Sequence, residues 1–357
     1  MKRKRLLYIT HVNITFLALD LKTLEEKYEV IYYCVGTQRT GIAFLINLVA
    51  LSLFILRNAR HTDGMITWFG DYHSAIITFF GKLLHIKVII FAGGQEAICY
   101  PELRKGVYLN KWRGRIVKYA LNNATLVIPN HTSLIYHENY YYTPEGKKDG
   151  IKYYIPEFKT PTTIIPNGIN TESYFRDPGI EKEPGNILTV GSMGTTYDFL
   201  NKGYDLFTEL ARRNPHLKFT MVGIKRQFMP WIEANYSVST IPNLEIVFFF
   251  CEDEVLFRKY NQAWVYVQAS ITEGMPNTLS EAMLCECVPV GSNVNGIPDA
   301  MGGTGVLVYH RSVEELELAV RKALTMNTGA NARQYALKNF TYAIRKEKLL
   351  DLLEQTL

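Results

Sequence analysis

The chain has 357 residues, 47% of them hydrophobic and 20% charged, with 39 Lys and Arg against 34 Asp and Glu. That composition excludes a disordered chain, and at roughly 150 residues per domain it points to two domains. A net charge of +5 suits an anionic small ligand or a mild attraction to acidic lipid, and is too weak to argue for nucleic acid.

The five cysteines, Cys34, Cys99, Cys251, Cys285 and Cys287, include no CxxC pair. The first residues are basic, Lys2 to Arg5, but the apolar run after them breaks at His11 and Asn13, so no signal peptide is read there. Reduced thiols in a cytoplasmic protein are expected.

Along the chain, RLLYIT and YEVIYYCVG read as strands. Gly41–Leu56 (GIAFLINLVALSLFIL) is an apolar run flanked by Arg39, Arg57 and Arg60 and interrupted by Asn47 and Ser52. A spanning helix needs about 20 residues, and this run is shorter. It reads first as a helix packed on a sheet, second as a helix that partly touches a membrane, and last as a true span. GMITWFG, KVIIFAGG and TLVIPN follow as strands, separated by the helices SAIITFFGKLL and RGRIVKYALNNA. Short Val- and Ile-rich runs alternating with helical patterns indicate buried parallel strands with crossover helices, a doubly wound sheet.

From Tyr140 to Pro166 the alternation lapses into a stretch rich in Pro, Gly, Lys and Tyr, read as an irregular loop leading to a domain boundary. It then restarts. The strands are NILTVGS, LKFTMVG, LEIVFFF, WVYVQAS, VPVGS and GVLVY; the helices are GYDLFTELARR, EDEVLFRKYNQA, one after Asn277 and SVEELELAVRKAL. The last stretch, Asn331 to Leu357, reads as helix throughout. The expected organisation is one domain over 1–166, a second over 167–335, and a C-terminal helix over about 336–357 packing back on the first. Ligands of such sheets bind outside the carboxyl ends of the strands.

The densest chemistry is in ITEGMPNTLSEA. Gly274 and Pro276 shape a tight turn that aims backbone N–H groups and a helix start at the crevice, a site for an anion such as a diphosphate. Two carboxylates beside an anion are better used on sugar hydroxyls, and Glu273 on the loop and Glu281 one turn into the helix reach different ones. Glu281 has a second reading, because Thr278–Glu281 (TLSE) fits a capping box. Glu273 has the alternative of a solvated loop residue.

The segment from Glu273 to Glu281, followed by VPVGSNVNGIPD, resembles the E-x7-E motif of family 4 glycosyltransferases. IIPNGINTESYF is similar to that family's domain junction, LTVGS with KGYDLF to the opening of its donor-binding domain, and the final helix to the one that crosses back. The resemblance implies an α/β GT-B fold, two doubly wound Rossmann-like domains facing a central cleft. It implies a retaining hexosyltransferase that needs no metal or cofactor. Its co-substrate is a nucleotide diphosphate sugar, and its acceptor a hydroxyl on a glycan or lipid-linked glycan in cell-surface polysaccharide synthesis.

Carried over, Glu273 contacts the donor sugar, Glu281 holds the ribose hydroxyls, and Lys202 neutralises the diphosphate. Gly191 and Ser192 close the first strand of the donor domain, and the loop Gly274, Met275, Pro276, Asn277, Thr278 faces the phosphates. Departures are visible. Ser192 stands where the family often has Arg, a charge that Lys225 or Arg226 could replace. The first strand lacks a Gly-rich loop after it, and a family His toward the sugar is replaced by FAGGQEA. On the acceptor side His73, Gly94, Gln95 and Glu96 are candidates, with an ordinary turn or a satisfied histidine as their alternatives. A non-catalytic nucleotide-sugar-binding protein of the same fold is the rival reading. A dinucleotide oxidoreductase would want G-x-G-x-x-G after a first strand, which is missing.

Overall fold

The computed structural model describes residues 3–12, 14–248 and 253–357. The end of the LEIVFFF strand, Cys251, Asn13 and Lys2 lie outside the described residues.

Two compact units emerge: Met1–His137 with Asp149–Gly168 and Ala343–Leu357, and Glu138–Lys148 with Ile169–Tyr342. The first holds β1 (Arg5–Thr10), β2 (Glu29–Cys34), β3 (Gly64–Trp68), β4 (Lys87–Ala92) and β5 (Leu126–Pro129), in the order β2-β1-β3-β4-β5. Every pairing in this sheet is parallel. Its helices are α1 (Thr15–Lys27), α2 (Gly41–Asn58), α3 (Tyr72–Leu84), α4 (Lys111–Asn123) and the single turn α5 (Ile151–Tyr154). Alternate strand residues, Leu6, Tyr8, Ile66, Trp68, Ile89 and Phe91, form one core with Leu17 and Leu24 of α1. Right-handed crossovers put α2, α3 and α4 on the other face.

The short pair β6 (His137–Asn139) and β7 (Lys147–Asp149) is followed by the second sheet. Its strands are β8 (Glu183–Val190), β9 (Lys218–Ile224), β10 (Leu244–Phe248), β11 (Ala263–Gln268), β12 (Val288–Ser292) and β13 (Val306–Val308). The order is β10-β9-β8-β11-β12-β13, again all parallel. The helices of this half are α6 (Tyr197–Asn201), α7 (Tyr204–Arg213), α8 (Met229–Tyr236), α9 (Asp253–Gln262), α10 (Asn277–Leu284), α11 (Ile297–Met301), α12 (Val313–Leu324) and α13 (Gly329–Asn339). The last helix, α14 (Tyr342–Thr356), returns to the first unit. This strand order reverses direction between β8 and β11, a topological switch point.

Three sequence expectations change. The stretch after Tyr140 is not one loop before a boundary: residues 138–148 belong to the second unit, and the chain re-enters the first before leaving it at Gly168. The final stretch is two helices, not one. The backbone of Ile169 inserts beside Phe340–Tyr342, with Ile169 N–H donating to the Phe340 carbonyl at 2.8 Å and Tyr342 N–H donating to Ile169 at 2.9 Å. That bridge ends α13, which stays with the second unit, so the return begins at Ala343 and not near 336. Third, α2 does lie against the sheet, but only Leu51 and Ile55 are buried in it. The sequence reading also passed over α1, whose Leu17 and Leu24 supply a core face.

Helix α14 is fixed to the first unit by a buried ion pair. Arg345 donates to both oxygens of Asp20, at 2.7 Å each, and to the carbonyls of Ile165 and Pro166. The Trp68 indole N–H donates to the same Asp20 carboxylate at 3.0 Å. Each charge is therefore both paired and hydrogen-bonded, the condition under which a buried pair is tolerated.

Candidate functional site

The loops that leave β8 and β11 meet at the switch point of the second sheet. Three glycines let the backbones close up there. A Cβ on Gly223 would lie 2.4 Å from the Gly191 carbonyl oxygen, and one on Gly203 would lie 2.4 Å from that of Ala269. Both have positive φ, where a side chain is strained as well. Gly191 itself lies beside Lys202, whose Cδ would be 3.4 Å from an added Cβ. The segment between Ser192 and Lys202 contains α6. It is folded by Asp198, whose Oδ2 accepts from the N–H groups of Gly194 and Thr195 at 2.8 Å each.

Lys202 and Glu273 come together from these two loops. The ammonium is 2.5 Å from the carboxylate, and each side chain keeps about a fifth of its surface exposed, 19% and 24%. Asn295, after β12, accepts from the Glu273 N–H at 3.1 Å and from the Thr272 hydroxyl at 3.2 Å. Gly296 N–H donates to the Gly274 carbonyl at 2.9 Å. The NVNGIP segment therefore braces the loop that carries Glu273.

Helix α10 starts at Asn277 with Pro276 as its N-cap, no side-chain cap and no acid in its first turn. The positive end of a helix attracts an anion. The candidates here divide by role. Pro276 has no N–H and contributes shape only. The Met275 side chain is buried in the core. The Thr278 hydroxyl is held between the Tyr266 hydroxyl, at 2.8 Å, and the Gln268 amide oxygen, at 3.3 Å. Ser192 is exposed. Arg226, named as a substitute charge for Ser192, lies with its guanidinium 4.0 Å over the Phe248 ring.

The capping-box reading of Glu281 fails. Thr278 is not the N-cap, and the Glu281 carboxylate accepts instead from the Tyr260 hydroxyl at 2.8 Å. Burial pushes its pKa up to about 7, against the opposing Tyr260 hydrogen bond. The carboxylate is thus placed among aromatic side chains and not spent on its own helix.

Sequence reasoning missed the residues that hold the β11 loop from outside. Asn139 Nδ2 donates to the Ile271 carbonyl at 2.7 Å, and the Tyr141 hydroxyl to the Ala269 carbonyl at 3.2 Å. The return of residues 138–148 to this unit has no local sequence signal.

In the first unit the acceptor-side candidates scatter. His73 is buried, its Nε2 3.0 Å from the Trp68 carbonyl and its ring 5.0 Å from that of His11. Burial lowers the pKa of both, that of His11 to about 4. Gln95 is a turn brace, accepting from Gly106 N–H at 3.0 Å. Glu96 is buried, accepts from Gly93 N–H at 2.5 Å, and is pushed by burial up to about 7. Gly94, at φ 138°, has open space where a Cβ would point. Near His73, Asp71 receives two hydrogen bonds from Arg113, at 2.9 and 2.7 Å, and lies 3.0 Å from Arg39. Burial works against that carboxylate, and the two guanidinium groups outweigh it and hold its pKa below the ordinary value. Among the described residues no cluster of three His, Cys, Asp or Glu is placed to hold a metal.

Residues 184–326 match the family model described as Glycosyl transferases group 1. That stretch is similar to a group 1 glycosyltransferase domain and lies within the second unit. It contains every donor-side residue named above. The whole chain is similar to a sucrose-phosphate synthase from Thermosynechococcus elongatus, with 15% identity and a TM-score of 0.73 over 99% of each chain. It is equally similar to Anabaena Alr3699/HepE, solved with UDP and glucose, at 14% identity and a TM-score of 0.73 over 99% of this chain and all of that one. These likenesses establish the GT-B fold of two Rossmann-like domains. A curated relative is the GPI3 subunit of phosphatidylinositol N-acetylglucosaminyltransferase from Saccharomyces cerevisiae, 24% identical over 185 residues. That match covers 46% of this chain and only 38% of the yeast protein.

Proposed function

We propose that this chain is a retaining glycosyltransferase that moves a sugar from a nucleoside diphosphate sugar to a hydroxyl acceptor without a bound metal. The observation that carries the reading is the Lys202–Glu273 pair beside the uncapped start of α10, at the switch point of a group 1 glycosyltransferase domain. The solved relative that holds UDP and glucose supports the donor class.

The residues divide the work by charge. Backbone N–H groups at the start of α10, with Lys202, take the diphosphate and stabilise it as it leaves. As the phosphate draws the ammonium away, the Glu273 carboxylate is freed to accept from hydroxyls of the transferred sugar. Glu281 accepts from the ribose hydroxyls. The C1–O bond to the diphosphate breaks while the acceptor oxygen bonds to C1 from the same face, and the acceptor proton passes to the departing phosphate oxygen. No side chain is placed as a covalent nucleophile in this scheme, and the two glutamates serve as hydroxyl acceptors, not as a glycosidase pair flanking one bond. The acceptor is a glycan or lipid-linked glycan in cell-surface polysaccharide synthesis, reached from the cytoplasmic side. The yeast relative, a subunit of phosphatidylinositol N-acetylglucosaminyltransferase, supports the lipid-linked choice.

Ser192 in place of an arginine favours one rival, a nucleotide-sugar-binding protein that does not turn over. A panel of nucleotide sugars separates them. A ligand at about 100 times its dissociation constant adds roughly 2.7 kcal/mol to stability, so the true donor raises the melting temperature. The transferase then releases nucleoside diphosphate from that donor. A shift without release supports the binding protein, and no shift with any nucleotide sugar overturns both.

A further inference from the structure

We infer that the α2–α3–α4 face of the first unit docks flat on an anionic lipid bilayer. A crossover helix ordinarily turns its apolar side to the sheet and its polar side to water. Here the outward side of α2 is apolar. Ile42, Leu45, Ile46, Val49, Leu53 and Leu56 follow helical spacing along one stripe, and each is between 47% and 77% exposed. On the neighbouring α3, Phe79 and Leu83 are 51% and 59% exposed, and on α4 Trp112 is 70% exposed. Between α2 and α3 runs an apolar groove of about 360 Å³, walled by Leu48, Ser52, Tyr72, Ile76, Phe79 and Ile116.

Charge and hydrogen bonding select the partner. Together α2, α3 and α4 contain six Lys or Arg and no Asp or Glu, in a chain with 34 acidic residues. Of these, Arg57 and Lys82 lie in the last turns of α2 and α3 and Lys111 and Arg115 near the start of α4, while Lys118 is mid-helix and Arg113 is paired with Asp71. Arg115 lies 4.9 Å over the Trp112 ring. An apolar centre rimmed by Trp, Lys and Arg is the side-chain set of a membrane interface. The stripe also offers little to a protein partner, since the polar groups that interrupt α2 are turned to their own unit. Ser52 donates to the Leu48 carbonyl and Asn47 to Gln38. Protein interfaces carry about one hydrogen bond per 100–200 Å², whereas lipid requires none.

The helix lies on the bilayer and does not cross it. Its apolar length, 18 residues with a mean hydropathy of 1.8, would suffice for a crossing. But α2 joins β2 to β3, and both of those strands pair with β1, so both of its ends stay on one side of the membrane.

Flotation of the purified full chain with vesicles tests this without reference to transfer activity, so failure here leaves the glycosyltransferase reading standing. The chain is expected to float with phosphatidylcholine vesicles containing phosphatidylserine, much less with phosphatidylcholine alone, and to weaken at about 0.5 M salt, where screening is short-ranged. Trp112 fluorescence is expected to be quenched by brominated acyl chains, and a Trp112→Phe variant to lose that quenching. Ile46→Asp with Val49→Asp changes exposed positions only, so melting should be unchanged while vesicle binding drops at least about tenfold. Lys111→Glu with Arg115→Glu should remove the preference for anionic lipid. Absence of flotation at low salt overturns the proposal, as does flotation that both pairs of substitutions leave intact. A concentration-dependent dimer abolished by Ile46→Asp with Val49→Asp overturns it too, in favour of a second copy on this face.

Discussion

At the scale of single residues, the hydrogen bond from Tyr260 to Glu281 removes one of two jobs for that carboxylate, the cap, and measurement tests the other, the ribose contact. With its pKa raised to about 7 by burial, Glu281 favours the folded state while protonated. That contribution is fully present below the ordinary value of 4.5 and is lost as pH rises through about 7. Glu281→Gln keeps the Tyr260 hydrogen bond and cannot ionise, so it should melt no lower than the parent at pH 6 and hold its melting temperature better up to pH 8. Its carboxamide offers one acceptor oxygen to two ribose hydroxyls. Bonds to a charged acceptor are worth about 1.5–3 kcal/mol, so nucleotide sugar should bind roughly ten- to a hundredfold more weakly at pH 8. Affinity of the parent should climb from pH 6 to 8, and that of the variant should stay flat; calorimetric titration at the two pH values checks both. Lys202→Ala should weaken a nucleoside diphosphate and barely change a nucleoside. Glu273→Ala should cut turnover far more than diphosphate affinity, which side-by-side kinetics and titration reveal. The sequence could nominate these three residues because residue type, spacing and the loop–helix junction sit within one short segment or its known companion, and the fold brings Lys202 and Glu273 together. Gln95 was not, since its partner Gly106 is reached only by a folded turn. That Glu281 does not cap its own helix was not legible either, because Tyr260 arrives from another helix.

Among the elements, α14 depends on a charge pair buried between sequence-distant parts of one unit. Removing one partner of such a pair costs about 3–5 kcal/mol, because the other charge stays buried. Arg345→Ala should therefore destabilise the first unit by that amount and leave nucleotide binding by the second unchanged. Hydrogen exchange resolved by segment measures this: faster exchange in β1, β3 and β4, with β8 and β11 as in the parent, is the expected pattern. The strands themselves were legible, since buried parallel strands are continuous apolar runs and both sheets consist of them. What the sequence hid was where the path changes unit. The break at Phe340–Tyr342 is made by pairing with Ile169, and the return of residues 138–148 by contacts to Ile271 and Ala269, none of them local. The exposure of α2 was hidden for a related reason. Apolar content says that a helix avoids water, and only the fold shows that the sheet covers Leu51 and Ile55 and little else.

On the scale of the molecule, the first unit is assembled from both ends of the chain and the second lies wholly between them. During synthesis the core strands of the first unit emerge early, yet Leu349, Leu353 and Arg345 reach them only after the entire second unit has been made. At about 5–20 residues per second, the stretch from Ile169 to Leu357 takes the ribosome roughly ten to forty seconds. For that time Trp68 and Phe91 lack their covering helix, and Asp20 is without its cation. The second unit suffers no such wait. A nascent chain arrested just after Tyr342 should already protect β8 to β13 from protease and bind nucleotide, while β1 to β5 remain cleavable until the last helix is released. The order of maturation is then the reverse of the order of translation, and the first unit spends that interval as a client for whatever shields exposed apolar strands at the ribosome exit.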